Sequence, residues 1–222
     1  MTQNLLTLII ILVVLVLIFS MGIIYHRVNW GSRFINWFEG WNRFYCHFVH
    51  GLDITPFKLP EGPVLLICNH MSALDPLLIS AASPRPLRFL VAKEEYERPY
   101  FKWLLKPAGC IPVDRDGRVE KAFREAIRRL KNNEAVALFP HGGMQLDTEP
   151  HKPLKQGVFK LAELVNCPIA CFRLTGVRAP GSTFRSLLFP ARAKLEFLQL
   201  IPAGTKVDKE MRQKIGLKLL GK

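Results

Sequence analysis

The chain has 222 residues, enough for one catalytic-sized domain and a short additional element. Its 31 Lys and Arg outnumber 18 Asp and Glu, a formal net charge of +13 that suits an anionic membrane surface, a nucleic acid or an acidic substrate. No K/R-G-F/Y-G/A-F-V nucleic-acid module is present, so nucleic acid is not an expected partner, and the five cysteines form neither a C-x-x-C pair nor a zinc spacing, so neither a zinc site nor a disulfide framework is expected.

Residues 5–25 contain no charged side chain and are mostly Leu, Ile and Val. Roughly 20 such residues cross a bilayer core. A cleaved signal peptide fits less well, because Met1, Thr2, Gln3 and Asn4 bring no positive charge and no A-x-A-like site follows. Residues 1–27 are therefore expected to form a single transmembrane anchor. His26, Arg27, Arg33 and Arg43 follow the run and none precedes it, which by the positive-inside rule places the remainder in the cytoplasm. Within residues 28–58, Trp30, Phe34, Trp37, Phe38, Trp41, Phe44, Tyr45 and Phe48 recur mostly three or four apart. They make an aromatic stripe on an amphipathic helix, with Arg33, Asn36, Glu39, Asn42 and Arg43 at other positions. Such a stripe either packs on the domain core or lies in the membrane interface.

From residue 59 to 222 short apolar runs alternate with helix-like ones. Strands are predicted at 63–68, 87–92, 110–113, 135–139, 168–174 and 194–198. Helices are predicted at 118–132, with Val119, Phe123, Ala126, Ile127 and Leu130 on one face, and at 156–165 and 209–220. The alternation implies an α/β fold, a mixed sheet covered by helices. Three of the cysteines fall in the strand-like runs, as buried, reduced thiols do.

The stretch Cys68-Asn69-His70-Met71-Ser72-Ala73-Leu74-Asp75-Pro76 joins a buried strand to a helix start. Asp followed by Pro suits the first turn of a helix, so Asp75 alone reads as a cap. The other reading folds the turn back so that Asp75 holds one ring nitrogen of His70 and leaves the other basic.

With the blocks that follow, the sequence resembles the glycerolipid acyltransferase family, which includes the lysophosphatidic acid acyltransferases. Asn69, His70 and Asp75 match N-H-x-x-x-x-D; residues 91–95 look like the A-K-x-E segment. Gly109, Ile111, Asp114 and Arg115 match G-x-I-x-x-D-R, and Cys167, Pro168 and Ile169 resemble the apolar V-P-I strand, with Cys171 at a position that commonly holds Pro. The third motif, usually F-P-E-G-T-R, reads Phe139-Pro140-His141-Gly142-Gly143-Met144.

The resemblance implies His70 as general base and Asp75 as its partner. It implies Asn69, Lys93, Arg115, His141, Gly142 and Gly143 as substrate-binding residues. Lys93 and Arg115 would hold a phosphate or headgroup, His141 would face the site from its loop, and the Gly142 and Gly143 amides would either shape a turn or face a developing oxyanion. The expected reaction moves an acyl chain from acyl-CoA or acyl carrier protein to a lysophospholipid hydroxyl, first of all 1-acylglycerol-3-phosphate. It needs no metal, no cofactor and no covalent intermediate, and no G-x-S-x-G elbow is present. The altered third motif keeps open another lysolipid or an aminolipid acceptor, or a silent membrane-bound paralogue.

Overall fold

The uncharged N-terminal run forms one helix, α1 (Thr2–Ile24), roughly 34 Å long at 1.5 Å per residue. The computed structural model describes residues 2–222 apart from Arg118, Asp147 and Thr183. Almost none of α1 is buried, and it is long and apolar enough to cross a membrane. It packs on α2 (Arg33–Phe48) at a close crossing, where a Cβ on Gly40 would overlap the carbonyl of Gly22 and the peptide nitrogen of His26. Trp37 stacks on Phe19, and its Nε1–H donates to the Phe19 carbonyl at 2.9 Å.

α2 buries a different face from the one its aromatic stripe suggests. Ile35, Glu39, Gly40, Asn42 and Cys46 are its buried residues, while Phe34 and Phe48 are exposed. Hydrogen bonds make this possible. Asn42 Nδ2 donates to the Leu77 carbonyl at 2.9 Å and Arg43 to that of Ser83 at 2.9 Å. Glu39 accepts from Arg43 Nε at 2.6 Å and from the Arg27 amide at 3.0 Å, and lies 3.1 Å from His26 Nδ1. A buried carboxylate with this many donors is tolerated where a bare one would not be.

The remaining elements run β1 (Asp53–Ile54), β2 (Val64–Cys68), α3 (Asp75–Ala82), β3 (Leu87–Ala92), α4 (Lys93–Tyr96), α5 (Pro99–Leu105), β4 (Ile111–Val113), α6 (Val119–Lys131), β5 (Ala135–Leu138), α7 (Gln156–Val165), β6 (Ile169–Thr175), α8 (Phe184–Leu188), β7 (Lys194–Ile201) and α9 (Lys209–Leu220). Among the described residues these strands form one sheet of order β1-β7-β6-β2-β5-β3-β4. β6, β2, β5, β3 and β4 are parallel, and β7 runs antiparallel to β6. The sheet domain starts before residue 59, because Asp53 and Ile54 pair with Lys194 and Leu195. The predicted start of α6, Arg118, lies outside the described residues.

All five residues of β2 are buried, and alternate ones serve opposite sides. Val64, Leu66 and Cys68 join one core, with Leu74 and Leu78 of the α3 side. Leu65 and Ile67 join the other, with Ala122, Ala126 and Leu130 of α6 and Val158 and Leu161 of α7. The result is a three-layer α/β/α sandwich with β2 at its centre, and the chain must cross β2 to pass from β5 to β6. Ligands bind beyond the carboxyl ends of parallel strands at such a point.

The helix crossing yields a stability test. Gly40→Ala overpacks the contact and is expected to cost about 1–3 kcal/mol. Gly62→Ala, whose Cβ would meet only Asn133 Oδ1 at 3.9 Å, is expected to stay within about 0.5 kcal/mol. Thermal unfolding of the detergent-held protein compares the two, and equal midpoints would refute the tight crossing.

Candidate active site

Four of the motif blocks place a residue just beyond the carboxyl end of a parallel strand, His70 after β2, Lys93 after β3, Arg115 after β4 and His141 after β5, while Cys167, Pro168 and Ile169 lead into the start of β6. Asn69 is the first residue past β2. Its Oδ1 accepts from the Leu174 amide at 2.7 Å, and its Nδ2 donates to the Leu174 carbonyl at 2.9 Å. The side chain thus continues the β2–β6 pairing by one step. Both ends of the amide are engaged with backbone, and Asn69 braces the turn that carries His70.

That turn closes on Asp75. Asp75 Oδ2 accepts from His70 Nδ1 at 2.8 Å, from the Met71 amide at 2.5 Å and from the Ser72 amide at 2.8 Å. Oδ1 accepts from Ser72 Oγ at 2.7 Å. The capping alternative is not what forms, since Leu74 is the N-cap of α3 and the Asp75 carboxylate serves the preceding turn. Asp75 is 0% exposed and the His70 side chain 16%, so substrate can reach the imidazole and not the acid. Phe139 lies flat on the ring, centroids 3.9 Å apart and planes at 11°. The Gln145 amide donates to the His70 carbonyl at 2.8 Å, and the Gly181 amide to that of Met71 at 2.7 Å. With Nδ1–H donated to the carboxylate and one ring face covered, Nε2 is left to accept a proton.

Ser72, Phe139 and Gln145 were not assigned from sequence. Ser72 sits at a variable position of the first motif and the Gln145 contact is long-range, so neither gives a local signal. Cys68 is next to Asn69 but is no nucleophile, because complete burial and the Asp75 charge push its thiol well above the usual range.

The structure brings two other expected residues to the strand ends. Lys93 Nζ donates to Asp114 Oδ2 at 3.0 Å, which raises the lysine's pKa, and Arg115 follows as an exposed side chain. The third motif turns at Gly142 (φ +78°), and the Gly142 amide donates to the Phe139 carbonyl at 3.0 Å. Of the two amides expected to face an oxyanion, that of Gly142 is therefore committed. Gly143 borders open space.

His141 departs most from expectation. It is 3% exposed, and both of its ring nitrogens lack a hydrogen-bond partner among the described residues. No ring contact or hydrogen bond joins it to His70 or Asp75 among them. It lines a separate cavity with residues 151–154 and α9. Burial, assisted by His151, Lys152 and His70, holds its pKa down at about 4.

Residues 48–175 match the family described as Acyltransferase. The chain belongs to the Acyltransferase family. It is 29% identical over 127 residues to the N-acylphosphatidylethanolamine synthase of Arabidopsis thaliana, covering 51% of this chain and 45% of that protein. It is 29% identical over 104 residues to the 1-acyl-sn-glycerol-3-phosphate acyltransferase of Helicobacter pylori, covering 46% and 44%, and 26% identical over 110 residues to that of Bacillus subtilis, covering 49% and 54%. The chain thus spans about half the length of the curated relatives it matches. Its fold is that of the 1-acyl-sn-glycerophosphate (LPA) acyltransferase PlsC of Thermotoga maritima, with a TM-score of 0.66 at 18% identity over 86% of this chain and 84% of that one.

The buried imidazole makes stability depend on pH. Between about 4 and the ordinary value of 6.5 the unfolded chain binds a proton that folded His141 does not, so stability rises with pH across this window. Going from pH 7 to 4.5, the wild type is expected to lose on the order of 2–3 kcal/mol more than His141→Phe in urea unfolding. Equal losses would show that His141 is not held neutral.

Proposed function

We propose that this protein is a membrane-bound acyltransferase that moves an acyl chain from acyl-CoA or acyl carrier protein to a lysophospholipid hydroxyl, with 1-acylglycerol-3-phosphate as first acceptor. The observation that carries the reading is the buried Asp75 carboxylate holding His70 Nδ1 at 2.8 Å at the end of β2. The acceptor hydroxyl gives its proton to His70 Nε2 as its oxygen bonds to the thioester carbon. Asp75 fixes the tautomer and stabilises the imidazolium. The oxyanion collapses, the C–S bond breaks, and the leaving thiolate takes up the proton. The Gly143 amide is a candidate donor to the oxyanion. Lys93 and Arg115 suit an anionic headgroup, Arg115 by its planar fork.

The surroundings favour an interfacial substrate. Phe34 meets Trp103 of α5 with centroids 5.3 Å apart, and Tyr100 of α5 meets Phe184 of α8 at 6.5 Å. These side chains, with Leu188 and Phe189, are exposed. The segment leading into α8 is bonded through Gly181 to the His70 turn, so this apolar rim adjoins the site. With α1 as a single-pass anchor and the cytoplasm as the location of the domain, acceptor and acyl chain both arrive along the bilayer.

A second reading has a specific motive. His141, Gly143 and Met144 replace three residues of the usual third motif, and one relative is named for N-acylphosphatidylethanolamine synthesis. An aminolipid acceptor would use the same His70 base on an amine.

Thiol release from acyl-CoA, or from acyl carrier protein, is the direct assay, with a panel of lysolipids and phosphatidylethanolamine. Turnover is expected to require an acceptor, to favour lysophosphatidate, and to fall roughly 10²–10⁴-fold in His70→Ala and Asp75→Asn. Ser72→Ala removes one bond to the buried carboxylate and is expected to lower kcat about tenfold with KM little changed. Preference for phosphatidylethanolamine would select the second reading. Silence with every donor and acceptor would mark a non-catalytic lipid-binding paralogue.

A further inference from the structure

A cavity of about 420 Å³ lies between residues 151–154 and α9, with His141 in its wall. Leu154, Leu217 and Leu220 give it an apolar side. Its charged lining is of one sign: Lys152, Lys209 and Arg212 border it beside the His151 ring, and among the described residues no carboxylate does. Lys222 adds a further cation, its Nζ donating to His151 Nε2 at 2.7 Å. Of the neighbouring acids, Glu149 pairs with Lys152 at 2.9 Å and offsets that cation, Glu210 pairs with Lys214 at 2.7 Å, and Asp208 accepts the Met211 amide at the start of α9. Among the described residues, Lys209 and Arg212 have no ion-pair partner. Cations gathered this way repel one another until an anion joins them.

His141 gives the cavity its chemical specificity. Its ring is buried and carries one N–H donor and one acceptor, neither of them used among the described residues. A buried imidazole without partners costs free energy that a ligand able both to accept and to donate would recover. A phosphate ester bearing a nearby hydroxyl is such a ligand. The replacement in the third motif agrees: a carboxylate at position 141 would repel a phosphate, and His does not.

We propose that this cavity binds the phosphate monoester of a substrate, with Lys209 and Arg212 on the phosphate oxygens and His141 on an ester or hydroxyl oxygen. Two substrates of the proposed reaction share this chemistry: the phosphorylated nucleotide end of coenzyme A and the head of a lysophosphatidate. The assignment to a substrate rests on the acyltransferase reading above. Phe139 stacks on His70 and His141 lines the cavity two residues later, so one short segment connects the bound phosphate to the base.

The test is calorimetric titration of the full chain in detergent with adenosine 3′,5′-bisphosphate, glycerol 3-phosphate and inorganic phosphate. One of the two esters is expected to bind saturably and to weaken with salt. Its affinity is expected to fall about tenfold or more in Lys209→Gln/Arg212→Gln and several-fold in His141→Phe. Binding of the nucleotide assigns the cavity to the donor, and binding of glycerol 3-phosphate assigns it to the acceptor. No ester binding, binding of inorganic phosphate alone, or affinities unchanged in both variants would overturn the proposal. His70→Ala separates it from the reaction itself, because that protein should still bind the ester without turnover. Turnover in the wild type without ester binding would sink the cavity alone; ester binding without turnover would sink only the acyl-transfer reading.

Discussion

One fully buried carboxylate, receiving four hydrogen bonds from the turn in front of it, sets the geometry of the site. A charge taken out of water costs several kcal/mol unless its oxygens are satisfied. Asp75 meets that condition with the Met71 and Ser72 amides, the Ser72 hydroxyl and His70 Nδ1. Each donor is fixed in turn by the fold. β2 is buried on both faces, Asn69 ties its end to Leu174, and Phe139 covers the His70 ring. The imidazole is therefore positioned before any substrate arrives, which is what the proposed role as an oriented base requires.

Some of this was legible in the chain. β3, α7 and α9 fall where periodicity and composition put them, because each is a regular run with clear ends. The His70–Asp75 pair was legible through the resemblance that the motif blocks carry together, since the five-residue spacing alone left helix capping open. The orientation of α2 was not. Aromatic spacing identifies a helix face but not its neighbour, and here the polar face is buried because Asn42 and Arg43 find backbone carbonyls of α3 and of the residue after it. β1 is two residues long and has no period to read. α4, α5 and α8 are short and take their form from packing.

The residues whose surroundings differ from their motif assignments share a physical cause. Asn69 and Gly142 lie in the motif segments, yet their polar groups are occupied by backbone partners distant in sequence or across a turn. His141 is set by the reverse: nothing pairs with it, and a helix some seventy residues onward closes over it. Local sequence identifies which groups are present. The long-range pairings that consume some of them and leave others free come only with the fold.

The crossing of α1 and α2 has a mechanical consequence. Gly22 and Gly40 allow backbone contact, Trp37 bolts the two helices together, and α2 is bonded to α3, whose first residue is Asp75. The N-terminal helix is thus a strut rather than a leash. A flexible tether would let the sheet domain tumble and sample many heights above a lipid surface. With α1 in a bilayer, as proposed above, a strut with an adjoining greasy rim would hold one height and one tilt, and encounters would become a search in two dimensions, governed by surface density instead of bulk concentration.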